Sequence, residues 1–163
     1  MNQAMEAALN EQITMELGSA YLYLAMAAYC ESINFPGTAH WLEVQAQEEI
    51  GHAMKIYGHV NDRGGRVVLK AIPEPVQEYA SPLAVFEAVL AHEQKITAAI
   101  HKLYALAVEQ KDYASLPLLQ WFIDEQVEEE KSADEVLQKL RMAGESKSAL
   151  LFIDSQLGQR EAE

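Results

Sequence analysis

Long segments of strong helix formers, separated by a few clusters of glycine and proline, constrain this chain more than any other feature. Only 8 of its 163 residues are glycine and 5 are proline. More than half of them fall in three clusters, at 34–37, 62–65 and 73–82. The segments between these breaks are rich in Ala, Leu, Glu, Gln, Met and Lys, which have high helix propensities. The pattern predicts four long helices and a short fifth, over about 5–32, 36–62, 82–110, 115–142 and 146–157.

Segment 66–80, between the second and third predicted helices, is the longest connection. Val67, Val68 and Leu69 could form a strand, but one short strand would have no partner in a helical chain. About 15 residues at about 3.3 Å each reach about 50 Å, and a helix of about 28 residues is about 42 Å long. We therefore predict a crossover along a whole bundle. The expected fold is all-α: one domain over 1–163, a four-helix bundle with one long crossover and a short fifth helix. The tail 159–163 is expected to fray.

Charge and cysteine content exclude several classes of protein. The chain has 25 acidic and 12 basic residues and a formal net charge of −13, which disfavours binding to nucleic acid or to anionic lipid. Cys30 is its only cysteine, so an intrachain disulfide and a zinc site built on several cysteines are excluded. No apolar run has the roughly 18–20 residues of a membrane span, and the first residues lack a secretory signal pattern. We expect a cytoplasmic protein.

One acid interrupts the apolar, core-facing row of each long predicted helix near its middle. Residues three or four apart share a helix face, and on this spacing the four acids are Glu16, Glu49, Glu93 and Glu129. At 1.5 Å per residue, Glu16 and Glu93 lie roughly 16 Å from their helix starts, and Glu49 and Glu129 roughly 20 Å. The four carboxylates can therefore meet in one layer of the bundle.

Four carboxylates in a core need either protons or a bound cation, because unpaired buried charge carries a large desolvation cost. Glu49 and His52 form a Glu-x-x-His pair whose side chains point the same way. One such pair is a weak signal, but four acids in register with a histidine favour a metal centre, and their number suggests two ions. Carboxylate and imidazole together suit iron or manganese, and also zinc. The alternative is a metal-free helical scaffold with protonated core acids.

Over essentially its whole length the chain resembles the bacterial non-haem ferritins. The motifs that carry the resemblance are Glu16-Leu17-x-x-Ala20-Tyr21-x-Tyr23, Glu48-Glu49-x-x-His52, Glu93 and the segment 121–130. The resemblance implies iron storage: ferroxidase oxidation of Fe(II) by dioxygen or hydrogen peroxide, and a ferric oxyhydroxide mineral inside a homo-oligomeric shell of twenty-four subunits. A di-iron oxidase or peroxidase without storage is a second alternative.

The resemblance also implies a ligand set for two irons within each subunit. Glu16, Glu49 and His52 would hold the first iron. Glu49 would bridge to the second iron, which Glu93 and Glu129 would complete.

Further roles follow from the same resemblance. Gln126 would donate hydrogen bonds to the ligands, and Tyr23 would be a hydrogen-bonding or redox partner. A third iron site beside the pair is implied at four acids, Glu48, Glu125, Glu128 and Glu129. Glu48, Glu125 and Glu128 are equally consistent with a solvated acidic face.

Haem is not expected. Bacterioferritins carry a second Glu-x-x-His on the fourth helix. They also carry a haem-ligating Met directly after the Glu of the Glu-x-x-His on the second helix. In this chain Ser132 stands where that second histidine would be, and Ile50 where the Met would be.

Overall fold

The computed structural model describes residues 1–162, and its architecture is five α-helices. They are α1 (Gln3–Ser32), α2 (Pro36–Asp62), α3 (Pro82–Glu109), α4 (Leu116–Ala143) and α5 (Lys147–Leu157). Each bound lies within two residues of its predicted position. Residues 1–162 contain no β-strand, and residues 67–69 have no regular secondary structure. The all-α prediction is confirmed. No helix in this range is both long enough and apolar enough to cross a membrane.

Local hydrogen bonds define most of the helix starts. The hydroxyls of Ser81 and Ser146 accept from backbone N–H groups three residues later, at 3.1 and 3.3 Å, and so begin α3 and α5. Ser115 directly precedes α4, but its side chain does not cap the helix. Its hydroxyl donates instead to Asp112, at 2.6 Å, because a 3-10 turn at Tyr113–Ser115 directs it inward. Gly144 ends α4 with φ +55°, a conformation that favours glycine.

Two apolar clusters show how the helices are arranged. In the cluster far from α5, Leu9 near the start of α1 lies with Ile56 near the end of α2, and Leu103 late in α3 lies with Phe122 early in α4. The cluster beside α5 joins the opposite halves of the same helices. Both hairpins, α1/α2 and α3/α4, are therefore antiparallel. The chain leaves α2 at one end of the bundle and begins α3 at the other, so the long crossover is confirmed.

The crossover is fastened to α1 by a buried asparagine. Asn10 donates from Nδ2 to the carbonyl of Arg66 at 2.9 Å and accepts at Oδ1 from the N–H of Val68 at 2.8 Å. Lys70 also pairs with Glu11. A side-chain amide thus satisfies backbone groups of a segment that has no regular secondary structure of its own.

Helix α5 docks on the N-terminus of α2 through Asp154. Its carboxylate accepts from the N–H groups of Gly37 and Thr38, at 3.1 and 2.7 Å, and from the Thr38 hydroxyl at 2.7 Å. A carboxylate at a helix N-terminus is stabilised by unpaired N–H groups and by the helix dipole. Glycine is required at position 37, because a Cβ there would lie 1.8 Å from the carbonyl oxygen of Asp154.

We expect Asp154→Ala to lower the stability of the protein by about 1–3 kcal/mol, because three donors lose a buried, charged acceptor. The measurement is the melting temperature of the variant against the wild type. Asp134→Ala is the matched control, since the Asp134 carboxylate accepts only an exposed hydrogen bond from Gln138. Equal melting temperatures for the two variants would contradict this role of Asp154.

Candidate metal centre

A layer of buried polar side chains lies between the two apolar clusters. Each of the four long helices contributes to it, and its members are Glu16, Glu49, His52, Glu93 and Glu129. All five are at most 5% exposed. Residues that interrupt four separate apolar rows are thus brought together, and we call them the polar layer.

The polar layer contains two groups of three ligand atoms that share one residue. Glu16, Glu49 and His52 form one group, and Glu49, Glu93 and Glu129 form the other. Within each group the ligand atoms lie within 4.8 Å of one another. Glu49 belongs to both groups, so one carboxylate links the two candidate metal positions.

His52 presents both ring nitrogens to carboxylates. Nδ1 lies 3.1 Å from Glu49 and 4.0 Å from Glu16. Nε2 lies 3.7 Å from Glu125 and 3.8 Å from Glu129. Trp121 and Phe122 pack edge-on against the ring and hold it in place.

Crowding and burial disfavour negative charge in the metal-free layer. Burial, followed by the neighbouring charge of Glu49, raises the pKa of Glu16 well above its ordinary value. Burial and the charges of Glu93 and Glu129 raise the pKa of Glu49 in the same way. Burial, with Glu93 next in importance, raises the pKa of Glu129 to about 9. These three carboxyl groups therefore favour their protonated forms at neutral pH unless cations replace the protons.

Two oxygens of the layer have no hydrogen-bond donor among the described residues, Oε2 of Glu16 and Oε1 of Glu129. A buried acceptor left without a partner costs about 1–3 kcal/mol. A cation would compensate both oxygens, and the carboxylate and imidazole donors suit a first-row transition metal. The residues present therefore fit the iron that the sequence motifs imply.

Tyr23 and Gln126 both hold Glu93. The Tyr23 hydroxyl donates to Oε1 in a short hydrogen bond, and Gln126 donates from Nε2 to Oε2 at 3.0 Å. Burial, followed by the charges of Glu93 and Glu49, raises the pKa of Tyr23 well above its ordinary value. Tyr23 thus stays a protonated donor, and both residues lie where the sequence predicts hydrogen-bonding partners of the ligands.

Two glutamines that the sequence did not predict donate hydrogen bonds to the other predicted ligands. Gln12 donates to Glu16 at 2.9 Å. Gln45 donates to Glu49 at 3.0 Å and to Glu129 at 2.5 Å, so it joins ligands from two helices. A signal was available, because each glutamine precedes its acid by four residues, one helical turn, on the first two helices.

The four acids predicted for a third iron site line one cleft, but only two of them have ligand atoms that converge closely. Glu48, Glu125, Glu128 and Glu129 line a small cleft of about 60 Å³ with Ser132 and Arg160, and we call it the acidic cleft. Glu128 is exposed, while Glu48 and Glu125 are half-buried. The ligand atoms that converge closely here are those of Glu125 and Glu129 with His52.

A family model for the ferritin-like domain matches residues 6–143 of this chain. The chain belongs to the ferritin family. A bacterial non-heme ferritin of Staphylococcus saprophyticus is 40% identical over 160 residues, 98% of this chain and 96% of that protein. A probable bacterial non-heme ferritin-like protein of Haemophilus influenzae is 41% identical, over 92% and 91% of the two chains. The predicted resemblance is confirmed.

Solved structures agree with this assignment. An open-pore ferritin from the hyperthermophilic archaeon Archaeoglobus fulgidus is 50% identical, with a TM-score of 0.98 over 99% of this ferritin and 98% of that chain. A closed form of the A. fulgidus ferritin, engineered by site-directed mutagenesis, is 49% identical, with a TM-score of 0.99 over 100% and 99% of the two chains. The predicted fold of this ferritin is confirmed.

Positions 50 and 132, where this ferritin departs from the haem-binding pattern, lie outside the polar layer. Ile50 is half-buried and packs against the apolar cluster beside α5. Ser132 lines the acidic cleft. Because position 132 carries a hydroxyl and not an imidazole, the group of Glu49, Glu93 and Glu129 contains carboxylates alone.

Proposed function

We propose that this ferritin stores iron by oxidising Fe(II) in the polar layer and depositing the product as a ferric oxyhydroxide mineral. The ligands are Glu16, Glu49, His52, Glu93 and Glu129. The observation that carries the proposal is the pair of ligand groups that share Glu49, supported by the two buried oxygens without a donor. This arrangement suits two metal ions better than one.

The ligand set favours oxidation of iron. Hard carboxylate oxygens stabilise Fe(III) relative to Fe(II), and two Fe(II) ions bound side by side supply two electrons together. With two protons these electrons reduce dioxygen to hydrogen peroxide, which itself can accept two further electrons. Tyr23, Gln12, Gln45 and Gln126 hold the carboxylates in place, so less reorganisation is needed when the charge on iron increases.

Storage requires a shell, and we propose a homo-oligomer of twenty-four chains. The similarity to open-pore and closed ferritins over nearly the whole chain supports this assembly. A net charge of −13 per chain would attract Fe(II) to its surfaces. We also place the protein in the cytoplasm, where a free thiol such as that of buried Cys30 stays reduced.

The test combines particle size with iron uptake. Size-exclusion chromatography should show an assembly of about 440 kDa, the mass of twenty-four chains of 18.2 kDa. Metal-free protein given excess Fe(II) in air should acquire electron-dense cores visible by electron microscopy. An assembly that oxidises Fe(II) but retains only a few irons per chain would favour a di-iron oxidase or peroxidase. A monomer that binds no metal would favour the scaffold.

A further inference from the structure

Arg160, beyond the end of α5, reaches back to the edge of the polar layer. Its guanidinium donates to Oε2 of Glu48 at 3.1 Å, to Oε1 of Gln45 at 2.9 Å and to the carbonyl of Trp41 at 3.1 Å. The same group lies over the Trp41 ring, 4.2 Å from its centroid. Arg160 is thus held by a charge, two polar acceptors and an aromatic face.

The backbone of the tail is anchored as well. Nε2 of His40 lies 2.7 Å from the carbonyl oxygen of Arg160, within hydrogen-bonding distance. The tail was expected to fray, and at Arg160 that expectation is wrong; Glu163 lies outside the described residues. A tail fixed at both backbone and side chain places its guanidinium at a defined position.

That position is in the acidic cleft. Arg160 lines the cleft together with Glu48, Glu125 and Glu129. Glu129 is 5% exposed and carries Oε1, the oxygen without a donor. Glu129 thus offers a metal ion a buried oxygen that Arg160 leaves without a partner.

A guanidinium and a metal ion would compete here. Both would draw on the carboxylate of Glu48, and two cations a few ångströms apart in a partly buried cleft repel each other. Among the predicted ligands of the polar layer, Glu49 and Glu129 are linked to Arg160 through Gln45. The guanidinium donates to the side-chain carbonyl of Gln45, and the amide N–H groups of Gln45 donate to Glu49 and Glu129. Competition is therefore confined to the third position.

We propose that Arg160 is a tethered cation that occupies the acidic cleft and must withdraw before a third metal ion binds beside the pair. This inference rests on the proposed function, because it takes the polar layer as the site of the first two ions. Arg160 would then determine how many metal ions each subunit retains.

Calorimetric titration of the metal-free assembly with Zn(II), a redox-inactive probe, tests the competition. Wild-type protein should bind two ions per chain tightly and a third more weakly. Arg160→Gln should strengthen the third binding step about tenfold, since a charged hydrogen-bond partner no longer competes. It should strengthen neither of the first two steps, because Arg160 supports those positions through Gln45. Arg141→Gln, at an exposed arginine on α4, is the matched control and should leave all three steps unchanged.

A fluorescence measurement tests withdrawal in protein that keeps Arg160. The chain has two tryptophans, so Trp121→Phe leaves Trp41 as the only tryptophan, whose emission can be excited selectively. Emission from Trp41 should change with the third equivalent of Zn(II), when the guanidinium leaves the ring, and little with the first two. Adding Arg160→Gln to this variant should abolish that change.

The outcomes separate this inference from the function on which it rests. A third binding step that is unchanged in Arg160→Gln, or third-ion binding with constant Trp41 emission, would overturn the inference alone. Wild-type protein that fails to bind even the first two ions would overturn the proposed function and the inference together. Were Arg160→Gln not to fold, the Trp41 measurement on the Trp121→Phe variant decides.

Discussion

Replacing Glu49 by glutamine should slow the initial oxidation of Fe(II) by at least about 100-fold. Glu49 is the residue shared by both ligand groups, so the substitution weakens both metal positions at once. Residues that only orient metal ligands already contribute 10- to 100-fold to affinity or activity, and a shared ligand should exceed them. The measurement is the rate of absorbance increase after Fe(II) is mixed with the metal-free protein in air.

The same variant should be more stable than the wild type when metal is absent. Glu49 is 1% exposed and lies among other acids, which raise its pKa, so this carboxylate must take up a proton on folding at neutral pH. A neutral amide of the same shape carries no such cost. A higher melting temperature together with lost oxidation would distinguish a lost ligand from a misfolded protein. Glu43→Gln, on the exposed side of α2, is the matched control and should change neither quantity. Unchanged oxidation in Glu49→Gln would rule out the proposed ligand set.

His52→Ala provides an independent check on the same centre. Its ring contacts carboxylates on both sides, Glu49 through Nδ1 and Glu129 through Nε2. We expect a similar loss of oxidation rate, measured in the same assay. The metal-free protein should lose stability in this case, because the ring also packs against Trp121 and Phe122.

The main features of the centre could be predicted from the sequence because helical periodicity is strict. A residue such as Glu93, which replaces an apolar side chain in a core-facing row, must point into the bundle wherever the helix packs. Helix lengths then give the depth of each acid to within a turn. Crossover length alone likewise indicated the direction of α3.

Contacts that depend on side-chain reach between elements could not be predicted. Gln45 joins Glu49 on its own helix to Glu129 on another, and that second contact depends on the rotation and separation of two helices. Ser115 directly precedes α4, where a serine commonly caps a helix, but a 3-10 turn directs its hydroxyl to Asp112. Arg160 lies in a polar tail whose composition favours fraying, and only the packing of α5 brings it to Trp41.

The metal-free protein should lose stability as the pH rises, and metal binding should oppose that loss. In the metal-free protein the pKa values of Glu16, Glu49 and Glu129 are raised, that of Glu129 to about 9, whereas an unfolded glutamate titrates near about 4.3. Between these values the folded state binds more protons than the unfolded state. The stability that these groups contribute is thus complete below about pH 4 and decreases as pH rises towards 9.

We therefore expect the melting temperature of the metal-free wild type to fall between pH 5 and pH 9. That of Glu49→Gln should fall less, because the variant lacks one of the titrating acids. Two equivalents of Zn(II) should raise the melting temperature of the wild type by an amount that increases with pH, because metal ions displace the retained protons. Weakly buffered solution at pH 7 should become more acidic during the titration, and less so for the variant. Zn(II) binding without proton release would mean that the polar layer is already ionised, and that burial has not raised the pKa values of its carboxylates.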